Sequence, residues 1–220
     1  MPFPAPPDHA AIAIASAYDA IAERWLDGCF SPDNGVRQHE QALAFLAPAT
    51  DGWALNVGCG CSTRLSAALR ARGLRIEGVD ISARMIALAA QAEPDAILHH
   101  ADICSWQPER RYQFISAWDS IWHVGLEQQR ALMLKLMAAL QPGGVFIFSA
   151  GGLDAADAHV DSTMGPQVCY STLGIPGLLD VVKEGGCVCR HLEFDQLPHK
   201  HLFMVVQRKA ASAASDAGQI

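Results

Sequence analysis

Two glycines one residue apart, Gly58 and Gly60, follow directly on a short apolar run at 53–57. Ser62 and Thr63 come next, placed to cap a helix expected over 63–72. A strand, a glycine turn and a helix N-terminus in that order bring backbone close to a ligand, because glycine lacks a Cβ and accepts the dihedrals of a tight turn. The unpaired N–H groups of the first helical turn add partial positive charge beside it. Twenty residues beyond Gly60, at the end of a second apolar run over 74–79, stands Asp80. An acidic side chain at the tip of the second strand of a βαβ unit is placed to accept both hydroxyls of a ribose. Asp80 also has a plainer reading, as the cap of a helix expected over 82–91.

Other side chains have chemistry to offer, each with a structural reading beside it. His123 falls just after a strand expected over 112–119, and an imidazole titrating at about 6.5 can take a proton at neutral pH; it can equally be a histidine satisfied within its own loop. Arg37 offers a guanidinium that grips a carboxylate bidentately, or a solvated charge on a helix face. Tyr18 and Trp25 either close a pocket or pack in the core. His199, His201 and Asp195 lie in or beside the connection between the last two strands, where they could touch a substrate. Imidazole and carboxylate suit a metal, but no tight ligand spacing such as H-E-x-x-H occurs, so none is expected. Cys59-x-Cys61 and Cys187-x-Cys189 have one residue between the thiols, wrong for a C-x-x-C motif, and read as alternation along a strand or loop.

These residues need elements to hold them. Helical spacing places helices over 10–26 and 36–46, ahead of the first strand, as a cap over the sheet (residues 1–48). Strands over 53–57, 74–79, 96–101, 112–119 and 144–150 alternate with helices over 63–72, 82–91 and 126–140, which predicts a parallel, doubly wound α/β sheet with helices on both faces. Ligands in such sheets bind outside the carboxyl ends of the strands. The stretch 151–172 is long for a connection and reads as a lid-like insertion. A helix over 175–184 follows, then two β-rich runs over 187–194 and 201–206 whose short link implies an antiparallel hairpin. The proline-rich lead 1–8 and the Ala/Ser tail 211–220 are expected to be disordered, leaving one domain over 1–210.

The 220 residues are half apolar and 18% charged, which excludes wholesale disorder, and the net charge of −7 with no basic stripe argues against a nucleic acid partner. No apolar run reaches the roughly 18 residues of a membrane helix, and the start has no basic region of the secretory kind. Seven scattered cysteines read as reduced thiols of a cytoplasmic protein.

Five motifs in order resemble those of class I S-adenosylmethionine (SAM) dependent methyltransferases. Asn56-Val57-Gly58-Cys59-Gly60 resembles the D-x-G-C-G-x-G glycine motif, and Gly78-Val79-Asp80-Ile81-Ser82 with Met85 the second-strand motif. Ala101-Asp102-Ile103 resembles the adenine-holding segment and Trp118-Asp119-Ser120-Ile121-Trp122-His123 the segment after strand four. Leu140-Gln141-Pro142-Gly143-Gly144-Val145 resembles the L-x-P-G-G turn before strand five. Two positions depart from the pattern: Asn56 stands for the commoner Asp, and Ser62 for the last glycine.

The resemblance implies a Rossmann-like, seven-stranded sheet, SAM as cofactor, and transfer of its methyl group to an oxygen or nitrogen of a small molecule. Asn56, Gly58, Cys59, Gly60, Asp80, Ile81, Met85, Asp102, Ile103, Trp118, Asp119 and Arg37 are then the expected cofactor contacts. Tyr18, Trp122, Tyr170 and His199 are the expected acceptor contacts, and His123 is the expected catalytic base. Two other readings stay open. A nicotinamide dehydrogenase shares the ribose-binding acid, but Thr63 stands where its fingerprint has a third glycine. A SAM-binding module without catalysis would have a sealed pocket, whereas an enzyme needs space beside His123. Oligomeric state is open.

Overall fold

The computed structural model of the chain describes residues 9–27, 31–48 and 51–210. The lead 1–8 and the tail 211–220, both expected to be disordered, lie outside the described residues. Seven strands, β1 (Gly52–Val57), β2 (Leu74–Asp80), β3 (Ile97–His100), β4 (Tyr112–Ala117), β5 (Leu140–Gly151), β8 (Cys187–Phe194) and β9 (His201–Arg208), form one sheet in the order β3-β2-β1-β4-β5-β9-β8. The first five run parallel, and β9 enters antiparallel between β5 and β8. The order reverses after β3, so the carboxyl ends of β1, β2 and β4 open side by side at the switch point.

Period-two alternation along the sheet explains its two cores. Along β5, Phe146 and Phe148 join the core that packs on α5 (Leu126–Ala139) and α6 (Gly174–Glu184), while Val145 and Ile147 face α2 (Val36–Leu43) and α3 (Arg64–Ala71). Both faces are covered, as parallel sheets require. Fully burying one such apolar side chain contributes about 1.5–3 kcal/mol, so these two layers fix the frame on which the loops stand.

Three elements differ from their sequence reading. The first helix, α1 (His9–Ile21), gives way to a tighter 3-10 turn over Ala22–Trp25, which brings the Trp25 ring to 5.6 Å from that of Tyr18. The Pro142-Gly143-Gly144 turn is carried inside β5 as an irregularity, pairing jumping from Leu140 to Val145 opposite Tyr112 and Phe114. The insertion at 151–172 is structured: β6 (Asp157–Asp161) and β7 (Val168–Thr172) form a separate antiparallel hairpin. Gln129 on α5 holds that hairpin by donating to the Ser171 carbonyl at 2.8 Å, and Arg24 donates to the Met164 carbonyl at its tip at 2.5 Å. The remaining helix, α4 (Ala83–Ala92), starts from Ser82, whose hydroxyl accepts from the Met85 amide. Thr63 stands at the cap position of α3 without a side-chain hydrogen bond, and Ser82, not Asp80, caps α4.

Candidate active site

The turn after β1 behaves as its glycines demand. Gly58 and Gly60 have φ of 63° and 57°, a region L side chains rarely enter. A Cβ on Gly58 would lie 2.3 Å from that of Ser120, while one on Gly60 would meet nothing within 4 Å. The first glycine therefore lets two loops close on each other, and the second leaves backbone open to a ligand. The Gly60 amide donates to Asp80 Oδ2 at 2.8 Å and the Ser82 amide to Asp80 Oδ1 at 2.9 Å. Each carboxylate oxygen keeps a lone pair beyond these bonds. Burial pushes the Asp80 carboxyl above its ordinary range, against the opposing pull of the Ser82 and Gly60 amides.

A cavity of about 270 Å³ opens over the carboxyl ends of the strands. One part is lined by Asn56, Gly58, Cys59, Gly60, Asp80 and Ile81, and the lining continues through Met85, Asp102, Ile103, Trp118 and Asp119. Asp102 Oδ1 accepts from the Cys104 amide at 2.8 Å, which shapes that loop. The other part is lined by Tyr18, Trp25, Trp122, His123, Met164 and Tyr170. Space therefore exists beside His123, the feature that separates an enzyme from a sealed binding module.

Asp119 is held from several sides. It sits at φ 52°, accepts from Asn34 Nδ2 at 2.9 Å and from the Ser149 hydroxyl at 3.1 Å, and meets His201 Nε2 at 3.0 Å. His201 Nδ1 in turn meets Asp195 at 2.5 Å. An imidazole between two carboxylates must donate from both nitrogens. Burial opposes that charge, but the hydrogen bonds His201 gives to Asp119 and Asp195 prevail and raise its pKa. His201 thus anchors Asp119 from behind the cavity and does not touch its contents.

His123 is built the other way. Its Nδ1 donates to the Cys169 carbonyl at 2.8 Å, so Nε2 is the acceptor, and it receives the Tyr18 hydroxyl at 2.7 Å and the Trp122 indole N–H at 3.0 Å. Burial lowers its pKa to about 4, against a weaker pull upward from the Cys169 carbonyl. The ring is neutral at physiological pH and both nitrogens are engaged.

Two expected contacts fall outside the cavity. Arg37 is 61% exposed and pairs with Glu193 at 3.0 Å, because the buried stripe of α2 is Gln38, His39, Ala42 and Leu43 and turns Arg37 aside. His199 is exposed in the β8–β9 connection, and Asp195 is taken up by His201. The guanidinium that does line the cavity is Arg64, the first residue of α3, whose Nε donates to the Asn34 carbonyl at 2.8 Å. Sequence reasoning passed over Arg64 although it opens the helix after the glycine turn, where a side chain faces a ligand. Arg64→Ala is expected to weaken SAM binding about tenfold and Arg37→Ala to leave it unchanged, by calorimetry; the reverse order would restore Arg37 to the site.

The sheet order, the reversed β9 and the glycine-bounded cavity define a Rossmann-like methyltransferase fold. The chain belongs to a methyltransferase domain family, which it matches over residues 36–173. It is 28% identical over 148 residues to dTDP-3-amino-3,6-dideoxy-alpha-D-glucopyranose N,N-dimethyltransferase of Streptomyces fradiae, covering 62% of this chain and 54% of that one. It is 31% identical over 153 residues to trans-aconitate 2-methyltransferase of Escherichia coli, covering 63% and 60%. The chain thus spans little more than half the length of these curated relatives. Among solved structures it is similar to the 1,6-didemethyltoxoflavin-N1-methyltransferase of Burkholderia thailandensis with bound S-adenosylhomocysteine, with a TM-score of 0.72 and 17% identity over 95% of this chain and 92% of that one.

Proposed function

We propose that this protein transfers the methyl group of SAM to an oxygen or nitrogen of a small molecule. The observation that carries the reading is the Asp80 carboxylate, braced by the Gly60 amide and facing a cavity whose floor is an open glycine turn. Asp80 takes the ribose hydroxyls, and Ile81 and Ile103 flank the adenine with Asp102 at its edge and Met85 behind. Asn56, Trp118 and Asp119 receive the amino-acid end together with Arg64, over the backbone of Gly58, Cys59 and Gly60. Tyr18, Trp122 and Tyr170 face the acceptor. Six described cysteines are free thiols, which supports a cytoplasmic setting, and no described helix is long and apolar enough to cross a membrane.

When bound, SAM supplies a methyl group already activated by its sulfonium. The protein then has to align the acceptor and take its proton. Tyr18 donates to His123 and so turns its oxygen lone pairs to the acceptor. A proton leaving the acceptor passes to the Tyr18 oxygen as the Tyr18 proton moves to His123 Nε2. His123, held near a pKa of about 4, takes it only in step with methylation, when the acceptor has become acidic. Tyr18 is the catalytic group in this reading and His123 positions it, a revision of His123 as direct base.

Two measurements test this. SAM and S-adenosylhomocysteine, each at about a hundred times Kd, are expected to stabilise the protein by about 2.7 kcal/mol in a melt while NADH does nothing; a response to NADH alone would overturn the reading. Tyr18→Phe and His123→Gln are expected to lower kcat about a hundredfold with SAM affinity held within twofold. Unchanged kcat in both would remove the relay.

A further inference from the structure

Resting on the methyl-transfer reading, we infer that the acceptor is an uncharged, flat aromatic or heteroaromatic molecule that presents a ring-borne O–H or N–H to Tyr18. Molecules bearing several carboxylates or phosphates are excluded by the same surface.

The first argument is shape. Five rings form an unbroken band along the acceptor part of the cavity. Trp25 lies 5.6 Å from Tyr18, Tyr18 5.4 Å from His123, His123 4.7 Å from Tyr170, and Tyr170 5.9 Å from Trp122. Neighbours fix the far end of the band. His159 stacks on Tyr170 at 5.5 Å and 14°, and His201 meets Trp122 edge-on at 5.5 Å. Rings already ordered by such contacts lose little entropy when a ligand arrives, and their faces reward another flat surface through offset or edge-on contact. A puckered sugar or a branched aliphatic acid would leave those faces poorly filled.

The second argument is charge. Among the described residues lining the cavity, three are carboxylates, Asp80, Asp102 and Asp119, and one is a guanidinium, Arg64. Arg64 stands by Asn34 at the Asp119 end and has its Nε committed there. Burial above all pushes the Tyr18 hydroxyl well above its ordinary range, and the Asp119 and Asp80 carboxylates act in the same direction. A di- or trianion would enter against those carboxylates with no second basic side chain among the described lining residues to receive it, and an unpaired buried charge is costly.

The third argument is the Tyr18 hydroxyl within the ring band. Tyr18 gives its proton to His123, so its oxygen can only accept from a ligand in this arrangement. That selects a donor on the ring, an O–H or N–H, at the atom to be methylated.

The test is calorimetry on the full chain saturated with S-adenosylhomocysteine, using 6-hydroxyquinoline and benzimidazole against trans-aconitate and glucosamine. Both ring compounds are expected to bind at least tenfold more tightly than either of the others. Trp122→Leu and Tyr170→Leu are each expected to weaken that binding tenfold or more while S-adenosylhomocysteine affinity stays within twofold. Should one variant melt without cooperativity, the other carries the comparison. Tighter binding of trans-aconitate or glucosamine, or equal response to all four, overturns the acceptor class and leaves methyl transfer standing. Failure to bind S-adenosylhomocysteine at all overturns the methyl-transfer reading itself.

Discussion

Replacing Asp80 by alanine is expected to weaken SAM binding by about a hundredfold or more. A hydrogen bond to a charged group contributes about 1.5–3 kcal/mol, and the Asp80 carboxylate is placed to accept two from a ribose. The same substitution strips the acceptor from the Gly60 and Ser82 amides, now 2.8 and 2.9 Å from the carboxylate oxygens. A buried donor left alone costs about 1–3 kcal/mol, so the ligand-free protein should also melt earlier. Asp80→Asn separates the two effects. Its single carbonyl oxygen serves one of the two amides while its NH2 faces the other, so binding and stability should both fall between wild type and alanine. Titration calorimetry beside a melt of the free protein measures each, and unchanged affinity in both variants would remove Asp80 from the cofactor site.

Acidification below neutrality is expected to remove a large part of the stability between about pH 6.5 and pH 4. Burial lowers both His39 and His123 from 6.5 to about 4, although each donates Nδ1–H to a carbonyl, of Gly35 and Cys169 respectively. Their folded pKa values lie below the unfolded ones, so in that window the unfolded chain binds more protons and stability falls with pH. At 1.36 kcal/mol per unit the loss reaches about 3 kcal/mol for each histidine, to be set against a whole stability of about 5–15 kcal/mol. His201 behaves in the opposite sense. Its raised pKa contributes stability in full below the unfolded value and loses it only as pH rises through the folded one, so it does not blunt the acid slope. Asp80, also raised, takes up its proton in the folded state first and offsets some loss at the acid end of the window. Urea midpoints at pH 7, 6, 5 and 4.5 measure the curve. His39→Gln, which keeps a polar contact to Ser116 but cannot titrate, should flatten it by about half, and a flat wild-type curve would show that these rings are solvated.

Much of this site is legible in the sequence because its chemistry is local. An apolar run, two glycines one apart and an aspartate twenty residues on specify a strand, a turn with positive φ and a second strand tip, and all of that is decided within one βαβ unit. Short-range periodicity likewise places β8 and β9 as a hairpin and the central strands as buried runs. The insertion at 151–172 is less legible: β6 and β7 are short and carry exposed residues, and β7 leans on α1 and α5, so their pairing leaves little period in the chain. Helix boundaries show the same limit, since the 3-10 turn at Ala22–Trp25 ends α1 in the middle of an alanine-rich pattern.

What the sequence determined by itself is the doubly wound order, the glycine cradle with Asp80 beside it, and the segment after β4 that reaches the cavity. Each depends on residues within a turn or one crossover of one another. The tertiary structure alone decided which side chains complete the cavity. Arg64 faces it and Arg37 does not, because the buried stripe of α2 packs on the sheet. His201 anchors Asp119 from 82 residues away while His199 is exposed, because His201 opens β9 within the sheet and His199 lies in the loop before it. Tyr18 finds His123 across 105 residues, and the Cys169 carbonyl fixes the imidazole tautomer that receives its hydroxyl. Such pairings are settled by packing of distant elements against one sheet, and packing is a property of the assembled layers that no local pattern records.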